Sequence, residues 1–398
     1  MTVTRALLVC ITLLLGSGCA TVDRVATSPA EPAQEDQAVR SKSLHIIHAP
    51  PQRAATPEAA AVINADVAEP DEEPAAFWDQ VRDGFRLPDT TQSRVRKRTA
   101  EYGSKPRQVE QIFARGQPYL AYILSEVQKR KFPTEIVLLP YVESGYDPFA
   151  FSYGRAAGMW QFIPATGKMY GLHQDWWYDG RRDVVASTRA ALDYLDYLQN
   201  KFDGDWLLAV AAYNSGSGAV SRAIKKNRSN GRPTDFWHLD LPSETAAYVP
   251  KLLAISNIVR DPQKYDISLD PVDTEQTLTV VETHGQLDIS VAAELADMDT
   301  ESFYLLNPGY NRWTTHPNGP HRLVVPVSRS DTFEENIAVL PDAERTRLHR
   351  HKVRPGETLS HIARQYNTTT RALLSSNQLS GTLIRSGQYL LVPVGNHD

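Results

Sequence analysis

Apolar positions are spread unevenly along the chain, and their period divides it into regions. A short apolar run, Ala6 to Leu15, comes first. From residue 20 to about residue 76 the chain is rich in Ala, Pro, Glu, Asp and Gln, with no aromatic residue until Phe77. Such a stretch buries too little surface to offset the entropy of ordering, and 20–76 reads as a disordered tether. From Phe77 to about Tyr265 apolar residues return at helical spacing. Thr134-Glu135 opens a run through Ile136, Val137, Leu138, Leu139 and Val142. Asp183 is placed to cap a helix carrying Ala191, Leu195 and Leu198. Asp205 does the same for Trp206 to Asn214, which Ser215-Gly216 ends, and Ser243 for a helix reaching about Arg260. Few stretches alternate with strand period, so 77–265 predicts a mainly α domain.

After Gln276 the pattern repeats itself. Leu323-Val324-Val325-Pro326-Val327 returns as Leu390-Leu391-Val392-Pro393-Val394. Gly285, an apolar helix and Asn307 return as Gly356, Leu359 to Ala363 and Asn377. Each copy predicts strand, helix, helix, strand, over 276–328 and 349–395, with the charged stretch 329–348 as a linker. The fold class is therefore multidomain, a mainly α domain followed by small α+β (βααβ) modules.

Charge and cysteine usage narrow the function. Lys+Arg number 42 against Asp+Glu 47, a net charge of −5, which gives no support to nucleic-acid binding. The 11 histidines form no ligand-spaced cluster and no His-Glu-x-x-His occurs, so no metal and no cofactor are expected. Both cysteines, Cys10 and Cys19, lie in the first twenty residues. Arg5, the apolar run and Gly16-Ser17-Gly18 make 1–19 an export signal too short to span a bilayer. With Cys19 directly after the small residues it resembles a bacterial lipoprotein signal, although Gly16 stands where that class prefers Leu. The resemblance implies lipidation of Cys19, a membrane anchor, and, with Ala20 rather than Asp, the periplasmic face of the outer membrane. The alternative is a soluble periplasmic protein.

The chemistry concentrates in three segments. Glu143, in Val142-Glu143-Ser144-Gly145-Tyr146, ends an apolar helix, where burial raises a carboxyl pKa as a proton donor to a glycosidic oxygen requires. Gly158-Met159-Trp160-Gln161-Phe162 and Ala211-Ala212-Tyr213-Asn214-Ser215-Gly216 follow. In this order the three resemble the lytic transglycosylases with the lysozyme-like fold, over roughly 77–265. The likeness continues through Asp205-Trp206-Leu207 and Glu244 to Lys251. It implies Glu143 as catalytic acid/base, Ser144 as a support for its loop and Ser152 near the substrate's N-acetyl group. It implies Met159 and Gln161 along the cleft, Tyr213 and Asn214 facing and orienting the carboxyl, and Tyr248 near the same site. Trp160 and Asp147 depart from the family pattern. Asp147 is one helical turn from Glu143 in spacing, but Gly145 and Pro148 speak against that geometry, and Asp175, Asp179 and Asp183 read as capping and ion-pairing residues, so no second acid has a motif around it.

His351-Lys352-Val353-Arg354-Pro355-Gly356-Glu357-Thr358-Leu359 resembles the LysM module, which binds N-acetylglucosamine-containing glycans. The first copy resembles a degenerate LysM, with an insertion near Asn311 to Pro320. Together these resemblances imply an enzyme of cell-wall turnover or remodelling whose partner is the peptidoglycan glycan strand. It would cleave between MurNAc and GlcNAc and leave 1,6-anhydro-MurNAc ends. The alternatives are a hydrolytic muramidase of the same fold and a non-catalytic peptidoglycan-binding scaffold.

Overall fold

The computed structural model describes residues 76–393 except 89–90, 275–276, 347, 367 and 378. The signal 1–19 with Cys19, and the tether up to residue 75, lie outside the described residues. Nine α-helices make the first domain among the described residues. They are α1 (Ala76–Asp83), α2 (Ser93–Gly103), α3 (Pro106–Lys129), α4 (Leu139–Glu143), α5 (Pro164–Met169), α6 (Val184–Lys201), α7 (Trp206–Ser215), α8 (Ser217–Ser229) and α9 (Ser243–Arg260). A tighter helical turn, Thr134–Leu138, leads into α4.

The local signals place most of these ends. The Asp183 side chain accepts from the Ala186 amide, and Asp205 from Leu207 and Leu208. Helix α7 stops at Gly216, whose φ is +80°. Ser243 does not cap α9: it is already helical, and Pro242 before it supplies the extended backbone of the cap position. Helix α7 buries every residue from Leu207 to Ala212 and runs through the core, whereas α3 buries Leu120, Ile123, Leu124 and Val127. Glu135 is buried as well, with its carboxylate accepting from the Arg86 and Leu87 amides at 3.1 and 2.8 Å.

Both repeats fold as read. The first consists of β1 (Leu278–Glu282), α10 (Ile289–Leu295), α11 (Thr300–Leu306) and β2 (Arg322–Pro326), with β1 and β2 antiparallel. The second follows helix α12 (Val327–Val339) and consists of β3 (Leu348–Lys352), α13 (Leu359–Gln365), α14 (Thr370–Ser376) and β4 (Tyr389–Pro393), paired in the same way. One asparagine does the same work in each. Asn307 brackets Val324, donating to its carbonyl at 2.7 Å and accepting from its amide at 2.8 Å. Asn377 brackets Leu391 at 2.7 Å both ways.

The two sheets differ in their outer faces. In the first, Val281, Leu323 and Val325 face the module's own core, while Leu278 and Val324 join the core of the helical domain. A sheet covered on both faces needs a continuous apolar strand, which is why β2 reads Leu-Val-Val. In the second, Leu390 and Val392 are buried, while the other face carries the exposed Lys352 and the half-buried Arg350.

The stretch expected as a charged linker is instead α12 (Val327–Val339). Phe333 and Ile337, one turn apart, close the first module's core against Leu287, Ile289 and Phe303. The charges occupy its outer side. The carbonyl of Arg345, further on, accepts from Asp288 at 2.8 Å.

The second module is stacked against the helical domain. Trp176, 40% exposed, carries the Arg312 guanidinium 3.7 Å from its ring centroid and the Arg350 guanidinium 4.0 Å from it. One indole face has no room for two such groups, so they lie on opposite faces. Arg350 also sits 3.5 Å from the Tyr389 ring. Each such contact contributes about 0.5–2 kcal/mol. In the full chain, Trp176→Ala should free the second module while leaving the helical domain's melting temperature nearly unchanged. Small-angle scattering should then give a larger radius of gyration, and an unchanged radius would refute the stack as the fastening.

Candidate functional site

Glu143 is the last residue of α4. The chain reverses directly after it, with φ of +62° at Gly145 and +57° at Tyr146. For a tyrosine that backbone costs on the order of 1 kcal/mol. Tertiary contacts hold it in place. The Tyr146 ring is fully buried, its hydroxyl donates to the Val137 carbonyl at 2.9 Å, and a Cβ at Gly116 would meet the ring at 3.0 Å. Arg115 donates to the Gly145 carbonyl at 3.0 Å. Ser144, buried, donates from Oγ to the Met159 carbonyl at 3.0 Å and so ties this turn to the next loop.

The Glu143 side chain is half-buried, and its carboxyl accepts a hydrogen bond from the Tyr248 hydroxyl. Burial pushes its pKa up to about 7. The Tyr248 hydrogen bond and the Lys251 charge act in the opposite sense, and Glu244 adds to the rise. Burial, then the neighbouring Glu143 charge, push the Tyr248 and Tyr213 phenols well above their ordinary value, so both stay neutral. Glu244, Thr245, Tyr248 and Lys251 recur at three- and four-residue spacing and form one stripe of α9.

The other expected site residues are placed as follows. The Tyr213 hydroxyl donates to the Trp160 carbonyl at 2.9 Å, and Asn214 Oδ1 accepts from Thr245 Oγ1 at 2.8 Å. The pair was expected to orient the Glu143 carboxyl. The bond to that carboxyl comes from Tyr248 instead, because the Tyr213 hydroxyl is taken by the Trp160 carbonyl. Tyr213 still lies within reach of the Glu143 charge. Met159, expected along the cleft, is 1% exposed and belongs to the main core. Trp160 is buried too, its indole donating to Thr188 Oγ1 at 2.9 Å, so this departure from the family pattern fills the interior.

Gln161 turns its amide back on its own loop, donating to the Gly158 carbonyl at 2.7 Å. Only glycine fits at 158: φ is +79°, and a Cβ there would meet the Arg181 carbonyl oxygen at 2.0 Å. Ser152 Oγ accepts from the Ala156 amide at 3.0 Å within the turn before this loop. The acids read as structural are so engaged. Asp175 accepts from the Trp177 and Tyr178 amides, Asp179 pairs with Arg181 at 2.7 Å, and Asp183 caps α6 while accepting from Tyr178. Among the described residues no group of three or more His, Cys, Asp or Glu converges as metal ligands would.

Sequence reasoning missed Glu244 and Lys251 as neighbours of the carboxyl, and Thr245 as the partner of Asn214. Their spacing from Tyr248 was a usable signal once that tyrosine was placed.

Two expectations follow from this geometry. The unfolded pKa of Glu143 is near 4.5 and the folded one about 7. The folded state therefore binds more protons between those values, and stability falls as pH rises through that window. Glu143→Gln, which has no proton to lose, should gain in melting temperature relative to the parent as pH goes from 4.5 to 8. A constant difference across that range would count against the raised pKa. Tyr248→Phe removes a hydrogen bond that favours the ionised form, so carbon-13 NMR of the Glu143 carboxyl should report a pKa above 7.

Residues 122–236 match the Transglycosylase SLT domain family. Residues 277–341 match the LysM-like domain of lytic transglycosylase MltD, and 351–393 the LysM domain. The first of these modules thus takes in α12. The chain is 38% identical over 330 residues to the membrane-bound lytic murein transglycosylase D of Escherichia coli (strain K12), covering 80% of this chain and 73% of the relative. The same values hold for the protein of that name in Escherichia coli O6:H1. Membrane-bound lytic murein transglycosylase C of Haemophilus influenzae (strain PittGG) is 28% identical over 143 residues, 33% of this chain and 40% of the relative.

Proposed function

This chain belongs to the lytic murein transglycosylases, and on that premise we propose that Glu143 alone serves as acid and then as base, leaving a 1,6-anhydro-MurNAc end. The observation that carries this reading is a carboxyl poised near pH 7 and hydrogen-bonded by a neutral tyrosine. Protonated Glu143 gives its proton to the oxygen between MurNAc C1 and GlcNAc. That bond breaks, and the substrate's own N-acetyl oxygen meets the charge at C1. Ionised Glu143 then takes the proton of the MurNAc C6 hydroxyl, whose oxygen closes on C1. The proton count returns to its start and no water is consumed.

In this scheme Tyr248 holds the carboxyl. Tyr213 and Asn214 brace the wall behind it through Trp160 and Thr245, Ser144 secures the turn and Gln161 shapes the loop. Met159 acts as packing behind that loop. Ser152 sits in the neighbouring turn, where it meets the N-acetyl group. The second LysM module holds the glycan and so raises its concentration at a tethered enzyme. The relatives are named membrane-bound, and Cys19 after Gly16-Ser17-Gly18 supports a lipid anchor at the periplasmic face of the outer membrane.

Digestion of intact sacculi followed by mass spectrometry tests the reaction. Anhydro ends are expected, and reducing ends would favour a muramidase. Glu143→Gln should lower the rate about 10³-fold. The cycle starts from the acid form of Glu143 and makes the base form itself, so the rate should be level below about pH 7 and fall above it. Unchanged wall cleavage by Glu143→Gln would end the proposal.

A further inference from the structure

Helix α8 carries a cationic face that the reaction does not use. Arg222, Lys225, Lys226 and Arg228 lie within it and Arg232 just beyond, and no Asp or Glu occurs from Trp206 to Thr234. Val220, Ala223 and Asn227 form the buried side of the helix. Arg222, Lys225 and Arg228 are exposed, and helical spacing puts them on the opposite side. Asn227 donates to the Pro233 and His238 carbonyls at 2.8 Å, and its own carbonyl accepts from the Arg232 amide at 3.0 Å. The chain is thereby turned back on the helix end, and the exposed Arg232 is held there. Lys226 pairs with Asp240 at 3.0 Å. Among the described residues Arg222, Lys225, Arg228 and Arg232 have no carboxylate partner. The helix dipole favours cations in the last turn, which accounts for Lys226 and Arg228. It does not reach Arg222, about two turns from the end, or Arg232 beyond it. The whole chain has a net charge of −5, so unneutralised cations clustered over 222–232 make a local field of the opposite sign.

We propose that this face rests on an anionic lipid surface, with Arg222, Lys225, Arg228 and Arg232 among the phosphate headgroups. The inference rests on the lipid-anchor reading of Cys19. Shape and reach both favour a lipid surface. Cations spread along one side of a helix match dense charge on a plane, whereas a single free phosphate requires donors that converge on one point. Residues 20–75 separate Cys19 from α1, and a coil of that length spans roughly 40 Å. An anchored domain on such a tether meets the surface at high effective concentration, where a few weak contacts suffice. None of the four cations belongs to the proposed catalytic set, so their substitution tests the face without touching the acid.

The experiment uses the mature chain with Cys19→Ser, which carries no lipid, and phosphatidylcholine vesicles with and without phosphatidylglycerol. The chain should co-sediment with the anionic vesicles and not with the neutral ones, and added salt should release it. Each cation at such a surface contributes about fivefold in affinity, so Arg222→Gln with Lys225→Gln should weaken binding about 25-fold. Both side chains are exposed, and the melting temperature should not move. Arg371→Gln with Arg385→Gln, an exposed pair on the second module, should leave vesicle binding near the parent's. A parent chain that ignores phosphatidylglycerol, or equal losses in the two double variants, would overturn the lipid face. So would release by inorganic phosphate at an ionic strength where sodium chloride does not release the chain, since that result describes a site for one phosphate. Retention on isolated sacculi that depends on Arg222 and Lys225, without vesicle binding, would assign the face to the wall and overturn the proposal as well. Mass spectrometry of the chain isolated from cells tests the anchor separately. An unmodified Cys19 would overturn the anchor and leave vesicle affinity as the measure of the face.

Discussion

One carboxyl kept largely from water, with a tyrosine hydroxyl on one oxygen, is the constraint on which the rest of the helical domain turns. Ionising a buried acid is unfavourable, so Glu143 retains its proton near neutrality. The same burial would be wasted if the carboxyl wandered. The turn at Gly145 and Tyr146 is therefore held from three sides, by Arg115, by the Tyr146 hydroxyl and by Ser144 reaching the Met159 carbonyl. Several of the motif residues are part of that scaffold. Met159 and Trp160 lie in the core, and Tyr213 and Gln161 hold backbone carbonyls. Their contribution to the site is to fix the loop wall.

The same economy governs the attached modules. The first is welded to the helical domain because one face of its sheet shares that domain's core. The second has no such face, since Arg350 stands where the first has Val280. It is fastened instead by guanidinium groups stacked on Trp176 and Tyr389, an attachment of far smaller apolar area.

Much of this was legible in the chain. The helical period over 77–265 and the caps at Asp183 and Asp205 follow from short-range rules that depend only on neighbouring residues. The repeat was visible because each copy solves the same packing problem with the same strand and the same asparagine. The misreadings have a common cause. In α12 the charges drew attention, while the two residues that matter, Phe333 and Ile337, needed a partner surface before their spacing had meaning. Ser243 lost its cap role to a proline one residue earlier.

The sequence by itself determined most of the helices, the strands of both repeats, and that Glu143 ends an apolar run within a motif-bearing domain. Those are local properties, set by periodicity, capping and backbone preference. Only the tertiary structure decided that Tyr248, 105 residues away, reaches the carboxyl, that Lys251 and Glu244 stand beside it, and that Met159 faces inward. Which side chain meets which across the fold depends on how α4, α7 and α9 cross, and that crossing is settled by the packing of all their apolar faces at once.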